Sequence, residues 1–160
     1  MKCELYQFSP QVYPFNLWIY VGKDVSGMVG CFNNDFSYID ISMGATITVP
    51  YGGCKLDPCT GFLIWFINKN VIDFNTVSHE AAHVSLNAFD FLGEKVMQSE
   101  PFCYLVGWVA GKCEEVKKGK VRDKLIWESK WGNFKILLVV VSGEVLNRLP
   151  CFFLCDEEER

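Results

Sequence analysis

The only two histidines of this 160-residue chain stand four positions apart, in the segment His79-Glu80-Ala81-Ala82-His83. On an α-helix, residues four apart lie on the same face, so both imidazoles can point at one metal ion. Glu80 lies about 100° round the helix from His79, where its carboxylate can take a proton from a water held by that metal. The segment therefore predicts a site for metal-assisted hydrolysis.

Zinc is the metal that these residue types suit best. Imidazole and carboxylate are zinc ligands, and catalytic zinc sites use three protein ligands and leave the fourth position to water. In H-E-x-x-H on one helix, the histidines bind zinc and the glutamate acts as general base in peptide-bond hydrolysis. We therefore expect zinc on His79 and His83, Glu80 as the base, and a peptide or protein as substrate.

The helix that must position these residues is also marked in the sequence. It is predicted to begin near Asn75 or Thr76, both good N-cap residues, and to end at Gly93, after about 17 residues. Asn87 and Asp90 follow the histidines, either as partners that orient a ligand or as ordinary solvated residues. The expected core face, away from the histidines, consists of Val77, Ala81, Val84, Ala88, Phe91 and Leu92.

The third zinc ligand must be a carboxylate or a cysteine, because the chain has no further histidine. Glu100 suits this role, since it opens a second predicted helix with Pro101 in its first turn, and an antiparallel return would place it beside the first helix. Two nearer carboxylates are too close in sequence to reach the same point easily: Asp90 and Glu94. The alternative thiolate ligands are Cys103 and Cys113.

His79, Glu80 and His83, followed by Glu100 at the start of a second helix, resemble the gluzincin group of zincin metallopeptidases. The resemblance covers roughly residues 62–116. It implies a strand ahead of the first helix, for which residues 61–68 are the candidate, and an antiparallel sheet edge along the substrate cleft. The Glu-Pro-x-x-Tyr-Leu segment that begins at Glu100 makes the chain look more narrowly like small zincin-like proteins encoded by bacteriophages and prophages.

Two departures from the larger gluzincins concern catalysis and leave the expected metal ligands untouched. Tyr104 replaces the acidic residue that they usually carry one turn after the glutamate ligand, and the downstream histidine that stabilises the oxyanion in many of them is missing. Tyr104 is therefore a candidate catalytic residue, since its phenol could donate a hydrogen bond to a developing oxyanion. The alternative is an aromatic residue that only packs.

Gly107 and Gly111 lie four positions apart in the second predicted helix. Small residues at this spacing predict that two helix backbones approach closely, here against Ala81, Ala82 or Ala88. A loose helix with two glycines is the alternative.

Length and composition predict one domain, residues 1–160, with a metal-binding core at about 62–116 and a C-terminal appendage at about 120–160. The net charge of −4 argues against a nucleic-acid partner. The hydrophobic fraction of 50% leaves apolar surface for a protein partner or for self-association as a homo-oligomer.

The sequence also bears on where the protein works. No apolar signal segment follows Met1, and the longest apolar run, residues 136–141, is too short to cross a membrane. We expect a cytoplasmic protein without membrane contact, or a phage-encoded one in host cytoplasm or virion. Its eight cysteines should then be reduced and buried. The alternative is that four of these cysteines bind a second, structural zinc ion in two pairs, Cys54 with Cys59 and Cys151 with Cys155.

The pattern of elements predicts an α+β fold. A small, mainly antiparallel N-terminal sheet packs on two central antiparallel helices, and a short β-like segment follows. The predicted strands before the first helix are residues 12–21, 28–32, 38–42, 45–49 and 62–67, and those after the second are 127–133 and 134–141. Two other functions fit this frame: a zincin-like metal-binding or interaction module without catalysis, such as a phage structural or host-directed protein, and an interaction domain with a chance motif.

Overall fold

The computed structural model describes residues 3–36, 39, 44–95, 100–121, 125–130 and 133–135. Within them, one sheet is formed by β1 (Cys3–Phe8), β2 (Asn16–Val21), β3 (Gly44–Val49), β4 (Gly61–Phe66), β5 (Leu125–Lys130) and β6 (Asn133–Lys135). The helices are α1 (Ser26–Cys31), α2 (Phe74–Leu92) and α3 (Glu100–Lys118), with a short 3-10 helix at Lys69–Val71 ahead of α2.

The strand order across the sheet is β3-β4-β2-β1-β5-β6. Among the described strands, only β2 and β4 pair in parallel, and the other neighbours are antiparallel. The expected α+β fold with a mainly antiparallel sheet and two helices packed together is confirmed. The strand ahead of the motif helix is β4, and the antiparallel strand at that edge of the sheet is β3.

The two faces of the sheet bury two separate apolar cores. One core lies under α2 and α3, and the other, which includes Trp18, Trp65 and Met28, lies on the opposite face, where α1 packs. Every residue of β2 and β4 is buried, because each strand has a covered layer on both sides. The motif helix α2 packs against β4 of this buried pair and against β3 beside it.

Helix α2 has a well-defined start and end. The Asp73 side chain caps its N-terminus by accepting a hydrogen bond from the Thr76 backbone N–H at 2.8 Å. Gly93 ends it in the left-handed conformation at φ 70°, with its N–H bonded to the Asp90 carbonyl. The expected end at Gly93 is confirmed, whereas the expected caps, Asn75 and Thr76, lie inside the helix.

Several sequence expectations about the elements were wrong. Residues 28–32 were expected as a strand, but most of them form α1, and β1 was not predicted. Phe91 was expected in the core and is half exposed, whereas Phe89, two positions earlier, is buried. Residues 38 and 40–42 and residues 136–141 lie outside the described part of the chain.

The expected close helix approach at Gly107 and Gly111 was also wrong. Both glycines are exposed on α3, and a Cβ built at either position would have no neighbouring atom within 4 Å. Helices α2 and α3 meet instead through larger side chains, such as Phe89 and Phe102, whose rings pack edge to face at 5.5 Å. Neither glycine therefore has a packing reason in the described part of the structure.

Six of the eight cysteines are described, and none of these six forms a disulfide. Cys3, Cys31, Cys54 and Cys113 are buried as expected, whereas Cys59 and Cys103 are exposed. Within the described residues, no helix combines the length and apolarity needed to cross a membrane.

Candidate metal and catalytic site

The two histidines of the motif meet on the exposed face of α2. The Nε2 atoms of His79 and His83 are 3.1 Å apart, and their ring planes are inclined by 80° with centroids 4.6 Å apart. A neutral imidazole pair at this distance shares one hydrogen bond, in which one ring donates and the other accepts. Both rings are exposed to solvent, so a metal ion from solution can reach them.

The separation of the two nitrogens suits zinc. Zinc–nitrogen bonds of about 2.0–2.1 Å at a tetrahedral angle place two imidazole nitrogens roughly 3.3 Å apart. The observed 3.1 Å between the Nε2 atoms is close to that value. Zinc bound by both Nε2 atoms would replace the hydrogen bond between the rings.

Glu80 points away from solvent, into the contact between α2 and the sheet edge. The residue is 4% exposed, and its carboxylate Oε2 accepts a hydrogen bond of 2.7 Å from the Thr46 hydroxyl on β3. The same hydroxyl lies 3.3 Å from the Glu80 backbone carbonyl. Glu80 is thus held against the edge strand, on the flank of α2 next to His83, about 60° away round the helix.

Gly44, the first residue of β3, leaves room for this arrangement. A Cβ at Gly44 would lie 3.4 Å from Oε1 of Glu80 and 3.1 Å from a methyl carbon of Thr76. The start of β3 therefore faces both oxygens of the Glu80 carboxylate, Oε1 at Gly44 and Oε2 at Thr46.

The structure does not bring Glu100 to the histidines. Phe102 packs on Phe89, which lies about 9 Å beyond His83 along the axis of α2. Glu100 precedes Phe102 and is exposed in the first turn of α3, so it lies by the C-terminal end of α2. Tyr104, one turn further along α3, is 75% exposed and shares that outward face.

The other candidate ligands do not meet the histidines either. Cys113 is fully buried, and burial, with a further contribution from the charge of Glu80, raises the pKa of its thiol to about 12. This disfavours the thiolate form that binds metal. Cys103, Asp90 and Glu94 are all exposed. Asn87, expected only as a residue that could orient a ligand, is also exposed and lies one turn beyond His83. Across residues 3–36, 39, 44–95, 100–121, 125–130 and 133–135, no three His, Cys, Asp or Glu side chains are placed to hold a metal ion.

Thr46 is the residue of this site that the sequence did not indicate. Alternation along β3 places Thr46 and Thr48 on one face of the strand, which is a signal the sequence contains. The contact with Glu80 crosses 34 positions of the chain. Only the packing of α2 beside the edge strand reveals it.

Comparison with known proteins finds no matching protein family, no matching curated protein and no matching solved structure.

Proposed function

We propose that this chain is a zinc-dependent peptidase-like protein whose metal is held by His79 and His83 and whose general base is Glu80. The observation that carries the proposal is the 3.1 Å separation of the two Nε2 atoms on the exposed face of α2. Both rings already converge at a spacing that zinc accepts, with a carboxylate one residue away on the inner flank of the same helix.

Each residue has a defined task in this proposal. The imidazoles would hold zinc through Nε2, and zinc there would supply a Lewis acid that lowers the pKa of a water molecule. Glu80 accepts the proton of the attacking water at its carboxylate and returns it to the leaving amine. Edge strand β3, which holds Glu80 through Thr46, borders the site where a peptide substrate would lie. Tyr104 is the proposed donor to the developing oxyanion.

The third protein ligand is assigned to Glu100 by the resemblance to gluzincins. Because Glu100 lies by the C-terminal end of α2, its ligation requires the first turn of α3 to move toward His83 when zinc binds. That turn also contains Phe102, so the movement would alter the contact of Phe102 with Phe89. The proposal further places the protein in the cytoplasm of a cell or phage-infected host, which suits described cysteines that form no disulfide.

A second candidate function is a metal-binding module without catalysis. The observation that favours it is the burial of Glu80, whose carboxylate is engaged with Thr46 and thereby helps to fix α2 on the sheet edge. In that case zinc would bind at the histidines and stabilise the fold, and no peptide bond would be cleaved.

Metal content tests both candidates. Protein purified without chelator or metal-affinity resin should contain about one zinc per chain, and the double variant His79→Ala/His83→Ala should contain none. Asn75→Ala, at an exposed position one turn before His79, is the matched control and should keep its zinc. A wild-type protein that neither contains nor takes up zinc would overturn both candidates and leave an interaction domain.

A further inference from the structure

The histidine pair on α2 supplies only half of a tetrahedral zinc site. The Nε2 atoms of His79 and His83 converge at 3.1 Å, whereas zinc in structural sites takes four ligands from side chains. Among the residues that the structure describes, no third His, Cys, Asp or Glu side chain joins them. Glu100 could do so only after movement of the first turn of α3. A zinc ion on one pair therefore has two positions open to ligands from elsewhere.

The face of α2 that carries the pair is accessible to a second protein molecule. Both histidines are exposed, and helix spacing places Ala82 and Leu86 on the same stripe. Ala82 is small and leaves room for another helix beside the imidazoles, and Leu86, one turn further on, is 44% exposed and offers apolar surface. Helix α2 contains no lysine or arginine, so no cation on this helix opposes a metal ion.

A second copy of this chain is the partner whose chemistry completes the site. Two copies related by a two-fold axis through the metal present the same surface to each other, so each contributes His79 and His83. Zinc accepts imidazole nitrogen, and four such nitrogens fill its tetrahedral positions. This ligand set needs no movement of α3.

We propose that two copies of this chain share one zinc ion, bound by the Nε2 atoms of His79 and His83 of each copy, when zinc is scarcer than the chain. With zinc in excess, each pair binds its own ion, which is the state that the proposed function uses. The shared ion has four protein ligands and no position left for water, so the dimer holds zinc without hydrolysis. The inference rests on the zinc binding of the proposed function and not on its catalysis.

Association of the two copies should depend on the metal. Each chain carries a net charge of −4, so two copies repel each other at low ionic strength. The shared zinc ion brings positive charge and coordination bonds from both copies to the contact. Removal of zinc should therefore return the protein to monomers.

Molecular mass measured against zinc content tests the proposal. The whole chain, stripped of metal with a chelator, should be a monomer of 18.3 kDa by light scattering after size-exclusion chromatography. Zinc added to about one ion per two chains should double the mass, and chelator should reverse the change. A large excess of zinc should lower the dimer fraction again. A constant mass across the titration, or saturation at about one zinc per chain with no dimer on the way, would overturn the proposal.

Variants show whether the histidines of both copies are needed. His79→Ala and His83→Ala, tested singly, should each prevent the doubling of mass, because each removes two ligands of the shared ion. Both positions are exposed, so the fold should persist, which circular dichroism checks. Ser78→Ala is the matched control and should still dimerise, because Ser78 is exposed beside His79 but donates its hydroxyl to the Phe74 carbonyl of the same helix.

A mixing experiment separates a shared ion from a zinc-induced contact elsewhere. With limiting zinc, wild type that carries a histidine-free tag should capture untagged wild type but not the untagged double variant His79→Ala/His83→Ala. Capture of the double variant would overturn the proposal, because the contact would then not need the histidines of both copies.

The same titration distinguishes this inference from the proposed function. Zinc bound by a monomer at every ratio would retain the proposed function and reject the dimer. A zinc-bridged dimer from a protein that hydrolyses no peptide even in excess zinc would retain the dimer and remove the peptidase function. A protein that takes up no zinc would overturn both.

Discussion

At the residue scale, the histidine pair and Glu80 can each have two roles. The same 3.1 Å between the imidazoles of His79 and His83 fits a shared hydrogen bond and a shared zinc ion. Glu80 combines two tasks, since its carboxylate bonds the sheet edge and is the predicted base. A substitution that replaces one carboxylate oxygen of Glu80 separates its role as base from its hydrogen bond to the sheet edge.

Glu80→Gln should lower kcat/KM by at least about 100-fold and leave zinc content unchanged. The amide cannot accept the water proton, yet its oxygen can still take the hydrogen bond from Thr46, so the fold should persist. Steady-state kinetics with elemental analysis of the same preparation measures both effects. Undiminished hydrolysis would exclude Glu80 as the base.

Glu100→Ala should weaken zinc affinity by more than about tenfold if Glu100 is the third ligand, as the resemblance implies. Glu114→Ala is the matched control, because Glu114 lies further along α3 and forms a surface ion pair with Lys118 at 2.8 Å. Competition with a zinc chelator measures both affinities. Equal affinities in wild type and Glu100→Ala would exclude Glu100 as a zinc ligand.

At the element scale, the sequence predicted helix α2 better than it predicted the elements around it. The left-handed glycine at position 93 was predictable, because few other residues adopt that conformation at low cost. Asp73 was missed as the cap because several consecutive residues can cap, and only the fold selects one. Residues 28–32 were expected as a strand from their apolar pattern, but a short helix can give the same pattern.

Helix α3 offers a stability prediction. Gly107→Ala and Gly111→Ala should each raise the free energy of unfolding by about 0.5–1 kcal/mol, because alanine favours the helix and neither Cβ would meet another atom. Gly61→Ala is the contrasting variant, since its Cβ would lie 2.0 Å from the Asn16 carbonyl oxygen, and it should destabilise severely. Urea denaturation measures all three. Destabilisation by either α3 variant would indicate a contact on that face.

At the scale of the whole molecule, the sequence could predict the fold class and the motif helix but not their assembly. The spacing of His79 and His83 fixes their common face wherever the helix lies. The position of Glu100 depends on the length of α2 and on the contact between Phe89 and Phe102. This contact determines how far along the axis of α2 the first turn of α3 lies. The contact of Glu80 with Thr46 depends likewise on long-range packing, which local periodicity does not encode.

Asp57 joins distant parts of the chain at one end of the sheet. Its Oδ2 accepts hydrogen bonds from Gln7 on β1 at 2.7 Å and from Asn16 on β2 at 2.9 Å. Its Oδ1 accepts the backbone N–H of Cys59 at 3.3 Å, ahead of β4. Burial acts to raise the pKa of Asp57, but the hydrogen bonds from Cys59, Gln7 and Asn16 outweigh it and hold the pKa below the usual 3.8.

Because the pKa of Asp57 is lower in the folded state than in the unfolded state, the charged carboxylate stabilises the fold above about pH 4. That contribution is lost as the pH falls through the folded-state pKa. Asp57→Asn should therefore be less stable than wild type at neutral pH and should lose less stability on acidification. Free energies of unfolding from pH 7 to about pH 3 measure the difference. Glu94→Gln, which removes an exposed charge after α2, is the control. If the free energies of unfolding of Asp57→Asn and wild type change in parallel with pH, the charge of Asp57 does not stabilise its links to the two strands and the loop.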